Sequence, residues 1–426
     1  MKLVSFATWS IFVMLLTSAA RAEDWPQWGG PQGDGVWRET GLVDTLPKGL
    51  LPRKWSMPIG EGYSGPAVAQ GRVYVTDRQA DAERERVLCL DAETGKVLWK
   101  HEYSVTYTIS YPAGPRATPV INEGRVYTIG AQGDMFCFDA AKGSVLWQKN
   151  FVKDYQTTLP IWGMAAAPVV DGEQLITLVG GKGALVVSFD KTSGKELWRA
   201  LNDAQVGYAP PRLFQFGDTR QLIIWHPNAV TSLNPATGKT NWSVPFRVQM
   251  GLCVPAPQQA GNRLFVTSFY NGPLMLDVSP TEPTAKIVWK GKKNSEIDTD
   301  GLHSIMPTPI VTADSIYGVC SHGQLRCLNA KTGQRVWETF AATGEGRWWN
   351  AFLIPNGDRV FIHNEQGDLI IAKLSPEGYE EISRAKLVQP TRDVNRRMTI
   401  WSHPAFAMKS VFARNDKEIV RVDLAK

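Results

Sequence analysis

A nine-residue pattern recurs along the chain and constrains its fold more than any other feature. The clearest copy is Asp91-Ala-Glu-Thr-Gly95-Lys-Val-Leu-Trp99. The same spacing of Asp or Asn, Gly and Trp returns in Asp139…Gly143…Trp147, Asp190…Gly194…Trp198, Asn234…Gly238…Trp242 and Asn329…Gly333…Trp337. Successive tryptophans of these copies lie 48, 51, 44 and 95 residues apart, and the last interval is two repeats long. A period of this length in a β-rich sequence is typical of blades arranged around an axis, so the pattern predicts a β-propeller.

Weaker copies set the number of blades. Leu274–Asp277 leads to Trp289, and Leu369–Leu374 leads to Ile382, which replaces the tryptophan. Trp55 has no strands ahead of it, whereas residues 400–424 supply strands without an outer one. We therefore expect an all-β, eight-bladed β-propeller whose last blade is closed by the N-terminal strand that carries Trp55.

The same pattern divides the chain into three parts. Residues 1–22 combine Lys2, an apolar run and Ala20-Arg-Ala22, which is typical of a secretory signal peptide. Residues 23–50 form an arm rich in Trp, Gly and Pro, and residues 51–426 form a single propeller domain. Because no cysteine lies near the cleavage site, we expect a periplasmic or secreted protein without a lipid anchor or transmembrane span, and a monomer.

The net charge argues against a nucleic-acid partner, and the cysteine positions argue against disulfide bonds. A formal net charge of +5 in 426 residues is too slight to indicate nucleic-acid binding. Cys89, Cys137 and Cys327 occupy one position of the repeat, which Ser188 and Ser232 take in other copies. Equivalent positions of different blades lie too far apart for a disulfide, so these cysteines are predicted to pack in the interior.

The repeat tryptophans are interpreted as structural, because a large apolar ring on an outer strand can seal one blade against the next. The predicted docking residues are Trp55, Trp99, Trp147, Trp198, Trp242, Trp289 and Trp337.

Residues outside the repeat are the candidates for function. The loops that join an outer strand to the next inner strand gather at one face of a propeller, and here they hold aromatic, basic and acidic side chains. Such a mixture suits a small-molecule pocket. The candidate ligand-binding residues are Glu61, Tyr63, Tyr111, Arg116, Trp162, Tyr208, Asp300, His303, Trp349, Asn350, Arg396, Trp401 and His403. Neither a catalytic constellation nor metal-ligand spacing stands out among them.

The D-x-x-T-G-K-x-x-W unit at blade spacing resembles the tryptophan-docking repeat of the PQQ-like β-propeller family. The arm Asp24-Trp-Pro-Gln-Trp-Gly-Gly-Pro31 and the ending Ala413-Arg-Asn-Asp-Lys-Glu418 are similar to an exported bacterial branch of it. The family includes quinoprotein alcohol dehydrogenases and the lipoprotein of the outer-membrane β-barrel assembly machine. The repeat therefore implies the fold and leaves the activity open.

For a dehydrogenase, the resemblance implies pyrroloquinoline quinone (PQQ) held between an indole and a disulfide of adjacent cysteines, with calcium bound by carboxylate and amide oxygens. Trp162 or Trp401 offers the indole, and Arg116 or Arg396 can bind the carboxylates of PQQ. The oxygen ligands on offer are Glu61, Asn350 and Asp300. The chain has no Cys-Cys pair and no C-x-x-C-H motif.

Three hypotheses follow from the sequence. The first is a non-enzymatic module that binds a small molecule or an envelope protein through the channel-mouth loops. The second is a PQQ- and calcium-dependent dehydrogenase of an alcohol or sugar. The third is an envelope-assembly scaffold.

Overall fold

Eight four-stranded antiparallel sheets surround a central channel in the computed structural model, which describes residues 23–426. The predicted eight-bladed β-propeller is confirmed. The predicted signal peptide, residues 1–22, lies outside the described residues. None of the helices within residues 23–426 is long and apolar enough to cross a membrane.

The strands follow one another from the channel outward within each blade. Blades 1 to 7 consist of β2–β5, β6–β9, β10–β13, β14–β17, β18–β21, β22–β25 and β26–β29, and blade 8 has the order β32-β33-β34-β1. The strands are β1 (Arg53–Pro58), β2 (Ala67–Ala69), β3 (Arg72–Gln79), β4 (Arg84–Asp91), β5 (Val97–Ser104), β6 (Val120–Asn122), β7 (Arg125–Ile129), β8 (Asp134–Asp139), β9 (Val145–Asn150), β10 (Val169–Asp171), β11 (Gln174–Leu178), β12 (Val186–Asp190), β13 (Glu196–Ala200), β14 (Arg212–Phe216), β15 (Thr219–His226), β16 (Ala229–Leu233), β17 (Thr240–Pro245), β18 (Gln258–Ala260), β19 (Arg263–Ser268), β20 (Gly272–Val278), β21 (Ala285–Lys290), β22 (Ile310–Val311), β23 (Ser315–Val319), β24 (Leu325–Asn329), β25 (Arg335–Thr339), β26 (Ala351–Asn356), β27 (Arg359–Asn364), β28 (Asp368–Ser375), β29 (Gly378–Lys386), β30 (Arg392–Val394), β31 (Arg397–Thr399), β32 (Ala405–Ala407), β33 (Ser410–Arg414) and β34 (Glu418–Asp423). One short helix, α1 (Phe151–Tyr155), follows blade 2.

The ring closes through the two ends of the chain. Strand β1 pairs antiparallel with β34, and Trp55 lies opposite Arg421 in that ladder. This confirms the prediction that the Trp55 strand completes the last blade. Strands β30 and β31 form a separate two-stranded hairpin in the segment before blade 8.

Five of the seven docking tryptophans lie against a glycine of the following blade. The rings of Trp55, Trp99 and Trp147 cover Gly95, Gly143 and Gly194 so closely that no Cβ would fit between them. Their indole N–H groups also donate to the next blade, as Trp55 does to the carbonyl of Ala92 at 2.8 Å. Apolar contact and a hydrogen bond therefore join neighbouring blades at the same point.

Two of the tryptophans use a different hydrogen bond. Trp198 and Trp242 donate to the side-chain oxygens of Gln174 and Gln221 in their own blades, both at 2.7 Å. Trp242 precedes blade 5, whose turn after β20 lacks the repeat glycine. In both cases an acceptor within the same blade satisfies the indole N–H group.

The recurrent cysteine position lies directly opposite the docking ring. Cys89 pairs with Trp99, and Cys137 pairs with Trp147, in their antiparallel ladders. Ser188 takes the same place opposite Trp198. The side chain opposite the ring is small in these blades, whereas Met275 lies opposite Trp289 and Arg421 lies opposite Trp55. All five cysteines are free and buried.

The N-terminal arm runs across the base of the propeller, where the turns between first and second strands lie. Trp25 exchanges backbone hydrogen bonds of 2.7 and 2.8 Å with Val68 of β2. Trp37 is fully buried against Phe361 and Phe406, with ring centroids 5.1 and 4.8 Å away. The arm is thereby fastened at two points to inner strands.

Substitution of a docking glycine tests the contact between blades. Gly194 and Gly124 share nearly the same backbone angle, φ +70° and +74°, but a Cβ at Gly194 would lie 2.7 Å from the Trp147 ring, whereas nothing lies within 4 Å at Gly124. We expect Gly124→Ala to cost about 1–2 kcal/mol of stability for the left-handed backbone. Gly194→Ala should cost about 1–3 kcal/mol more for overpacking. Thermal unfolding midpoints of both variants measure the difference, and equal losses would contradict this role for the indole contact.

Candidate functional site

A cavity of about 480 Å³ opens at the face where outer strands connect to the next inner strands. Ten of its lining side chains are aromatic, and none is acidic. Its volume lies in the range of ordinary ligand pockets. We call this cavity the mouth pocket. Its lining residues are Trp28, Tyr63, Tyr111, Arg116, Thr118, Trp162, Ala165, Ala167, Tyr208, Pro210, Met250, Leu252, Val254, Phe269, Tyr270, Ile305, Met306, Thr308, Arg347, Trp348, Phe352, Trp401 and His403.

The structure brings seven of the candidate residues together and places the other six elsewhere. Those that line the mouth pocket are Tyr63, Tyr111, Arg116, Trp162, Tyr208, Trp401 and His403. Those outside its lining are Glu61, Asp300, His303, Trp349, Asn350 and Arg396.

Four aromatic rings form one side of the mouth pocket. Tyr63 stacks on Trp401 at 6.2 Å between centroids, with 27° between the ring planes. Tyr111 lies 6.0 Å from Trp401 and 6.3 Å from Trp348. Rings that support one another in this way present a rigid surface on which a flat ligand can stack.

Arg116 is the central cation of this wall. Three of its guanidinium N–H groups donate to the carbonyls of Gly114, Ser110 and Tyr111, at 2.5 to 3.0 Å. Its charge lies 5.0 Å from the Tyr63 ring centroid and has no ion-pair partner within residues 23–426. A guanidinium carries five N–H donors, so two remain for a ligand. Burial lowers the pKa of Arg116 from its usual value, because desolvation disfavours the cationic form.

The other basic groups of the pocket are compensated. Arg347 forms an ion pair with Glu296 at 2.8 Å and lies over the Trp348 ring at 4.4 Å. His403 shares a hydrogen bond of 2.7 Å with Thr118. Burial lowers the pKa of His403 to about 4, so this imidazole is neutral at pH 7. The positive charge of the pocket that has no ion-pair partner is therefore that of Arg116.

A buried carboxyl behind Trp401 escaped sequence reasoning. Glu365 has no exposed surface and lies in the turn between β27 and β28. It accepts hydrogen bonds from Arg397 at 2.5 Å, from Trp401 at 3.2 Å and from the Asn350 side chain at 3.2 Å. Burial raises the pKa of Glu365 to about 7, although Arg397 opposes the shift. Its contact with the indole N–H holds the Trp401 ring in the pocket wall.

The remaining candidates serve the surrounding framework. His303 is fully buried and lies 3.4 Å from Asp300, at the junction of blades 5 and 6. Trp349 lies under Arg397, 5.1 Å from its charge. Glu61 bridges to the backbone of Arg78. Arg396 is exposed on the hairpin loop. Asn350 is completely buried beside Glu365.

The residues present do not assemble the calcium site that a quinoprotein dehydrogenase requires. Glu61, Asn350 and Asp300, the oxygen ligands that the sequence offered, do not line the mouth pocket. Within residues 23–426 no group of three or more His, Cys, Asp or Glu side chains could hold a metal ion. Calcium prefers six to eight oxygen ligands. The pocket fits the flat, acidic part of such a cofactor better than its metal.

Sequence reasoning also missed pocket residues that come from other segments. Trp28 reaches the pocket from the arm, and Phe352 comes from strand β26. The three tryptophans of the arm were the available signal for Trp28, but their number alone did not show which one enters the channel.

Comparisons with known proteins agree with the architecture. A family model described as outer membrane protein assembly factor BamB matches residues 29–110, 83–339 and 182–426. No curated protein sequence matches the chain.

Solved structures share the fold at low identity. BamB from Moraxella catarrhalis aligns with a TM-score of 0.59 and 15% identity, over 87% of this chain and 99% of its own. Quinohemoprotein alcohol dehydrogenase from Comamonas testosteroni aligns with a TM-score of 0.63 and 14% identity, over 96% and 82%. A europium-containing methanol dehydrogenase aligns with a TM-score of 0.59 and 13% identity, over 94% and 89%. At this identity the likeness concerns the fold alone.

The Glu365→Gln variant tests the buried carboxyl through pH. In the folded protein the pKa of Glu365 is about 7, against the ordinary 4.5, so the folded state keeps the proton longer. Its contribution to stability is therefore present at low pH and is lost as pH rises from 4.5 to 7, by at most about 3 kcal/mol. We expect the melting temperature of the variant, relative to wild type, to rise between pH 5 and pH 8.

The variant must be compared with wild type at each pH, because two histidines change the stability with pH in the direction opposite to Glu365. Burial lowers the pKa of His363 and of His403 to about 4, so the wild type loses stability as pH falls below 6.5. Glu380→Gln on the exposed face of β29 is the matched control and should show no pH-dependent difference. A flat difference for Glu365→Gln as well would refute the raised pKa.

Proposed function

The chain belongs to the PQQ-repeat propeller family whose model is described as outer membrane protein assembly factor BamB, and on that premise we propose that it binds an apolar aromatic small molecule with an acidic group. The mouth pocket is the binding site. In this proposal the protein is an exported binding module, located in the periplasm or outside the cell, because residues 1–22 resemble a signal peptide.

The observation that carries this proposal is the charge of Arg116, which has no ion-pair partner and lies in an aromatic cavity. Arg116 is partly buried, and holding a partly desolvated charge without an ionic partner has a cost. A ligand carboxylate would accept the two remaining N–H groups of the guanidinium in the planar geometry that arginine favours. The rings of Tyr63, Trp401 and Trp348 supply the stacking surface for the rest of the ligand.

Pyrroloquinoline quinone shares the flat aromatic shape and the acidic group of this description, but it is more polar because it carries three carboxylates. The alternative of a PQQ- and calcium-dependent dehydrogenase needs oxygen ligands that the mouth pocket does not assemble. The envelope-assembly hypothesis is supported by the description of the family model, but no feature of the mouth pocket favours it. Ligand binding is therefore the function that the geometry favours.

A matched pair of probes tests the charge requirement. Naphthoate and naphthamide have almost the same shape, but only the first carries a negative charge. We expect naphthoate to bind at least about tenfold more tightly, because a charge-assisted hydrogen bond contributes about 1.5–3 kcal/mol. Quenching of tryptophan fluorescence reports binding, since Trp28, Trp162, Trp348 and Trp401 line the pocket.

Two arginine variants locate the charge. Arg116→Met should abolish the preference for naphthoate, while Arg396→Met should leave it unchanged, because Arg396 is exposed outside the pocket lining. Thermal melts of both variants check that they fold. The proposal fails if wild type binds neither probe, or if the preference survives in Arg116→Met.

Titration with PQQ separates the binding module from the dehydrogenase. We expect saturable PQQ binding that weakens in Arg116→Met and is the same with calcium or with a calcium chelator. Dye-linked oxidation of an alcohol and sugar panel is measured in parallel. A calcium-dependent gain in PQQ affinity together with substrate oxidation would replace the binding proposal with the dehydrogenase.

A further inference from the structure

Trp28 occupies a junction of cavities inside the propeller. Besides the mouth pocket, a second cavity of about 240 Å³ and a third of about 170 Å³ lie between the arm and the inner strands. Trp28 is the one residue, among those described, that lines all three. Its indole therefore separates the mouth pocket from space deeper in the channel.

We propose that Trp28 sets the length of the ligand that the mouth pocket accepts. This inference rests on the proposed function and adds the specificity of that site. The ligand acid binds Arg116 near the opening, and the apolar body extends down the channel until it meets the indole. The N-terminal arm thus supplies the floor of a pocket whose walls come from the blades.

The arm holds Trp28 firmly between two anchors. Trp25 and Trp37 are 2% and 0% exposed, whereas Trp28 is only partly buried and presents ring surface to the cavities. Trp37 donates to Glu39 at 2.9 Å, and Asn356 donates to the carbonyl of Trp37 at 2.8 Å. Two tryptophans of the arm thereby fix its position, and the third is left to face the channel.

A compact glycine-rich turn at residues 29–35 orients the Trp28 ring. Gly35 donates to the carbonyl of Gly29 at 2.8 Å. A Cβ at Gly29 would lie 2.7 Å from the carbonyl oxygen of Gly33, so the turn closes only with glycine there. Arg212 of β14 donates to Gly33 and lies 5.5 Å above the Trp28 ring. The inner wall of blade 4 therefore clamps both the turn and the indole.

Residues at the junction leave a passage once the indole is removed. Met306, Thr308, Phe352 and His403 line both the mouth pocket and the second cavity. Ala167 and Pro210 line both the mouth pocket and the third cavity. Trp28→Ala should therefore join the cavities into one deeper site, while Arg116 and the upper rings keep their places.

Rod-shaped acids of increasing length test the proposal. Naphthoate, biphenylcarboxylate and terphenylcarboxylate share the acid and differ in reach. We expect wild type to disfavour terphenylcarboxylate relative to naphthoate, and Trp28→Ala to shift that ratio by about tenfold or more toward the longer acid, as one lost steric barrier of about 1.4 kcal/mol would do. Isothermal titration calorimetry measures all three acids without reliance on Trp28 fluorescence.

Two controls separate length selection from general damage. Trp162→Ala removes an indole from the wall of the mouth pocket that lines neither deeper cavity, and should weaken all three acids alike. Trp28→Phe keeps a ring at the junction and should retain much of the wild-type ratio.

The outcomes distinguish this inference from the proposed function. If wild type binds no acid, the proposed function fails. If wild type binds naphthoate and Trp28→Ala, shown folded by its thermal melt, keeps the wild-type length ratio, the role of Trp28 is refuted while the pocket stands.

Discussion

The contact between an indole and a glycine of the next blade is the interaction on which the rest of the structure depends. The ring needs a flat backbone surface without Cβ, and the glycine also supplies the left-handed angle of its turn, as Gly95 does beneath Trp55. Because each blade touches only its neighbours, the repeated contact fixes spacing and rotation from blade to blade. The tryptophans hold the wheel together at its periphery, so the loops near the axis are free to differ.

Closure of the wheel explains how the arm reaches the channel. Pairing of β1 with β34 places the start of the propeller and its end in one blade. The segment before β1 then lies beside blades 7 and 8, where Leu50 bridges to Lys386 and Leu42 bridges to Ala425. From there residues 23–37 lie against the inner strands at the base. The joint that completes the fold thus also delivers Trp28 to the floor of the mouth pocket.

Much of the fold could be predicted from sequence because its signals are local and repeated. The split blade followed from Trp55 and residues 400–424, each incomplete without the other. The site was less predictable. The loop to which a residue belongs shows at which face of the propeller it lies, but not how far from the axis. His303 belongs to such a loop, yet it fills the junction between two blades. Glu365 lies in a turn within a blade, and Trp28 comes from far away in sequence.

Arg414, which is fully buried, and Arg116, which is partly buried, show how the surroundings distinguish a binding group from a structural one. Arg414 has no exposed surface and donates to the carbonyls of Thr76 and Gly60, both at 2.6 Å, so it ties blade 8 to blade 1. Arg116 also donates to carbonyls, but aromatic rings and open cavity face the rest of its guanidinium. Carbonyl dipoles offset part of each charge. A ligand cannot reach Arg414 to stabilise the rest of its positive charge. At Arg116 an anion can enter the open cavity and pair with the guanidinium, so the charge there becomes a determinant of binding.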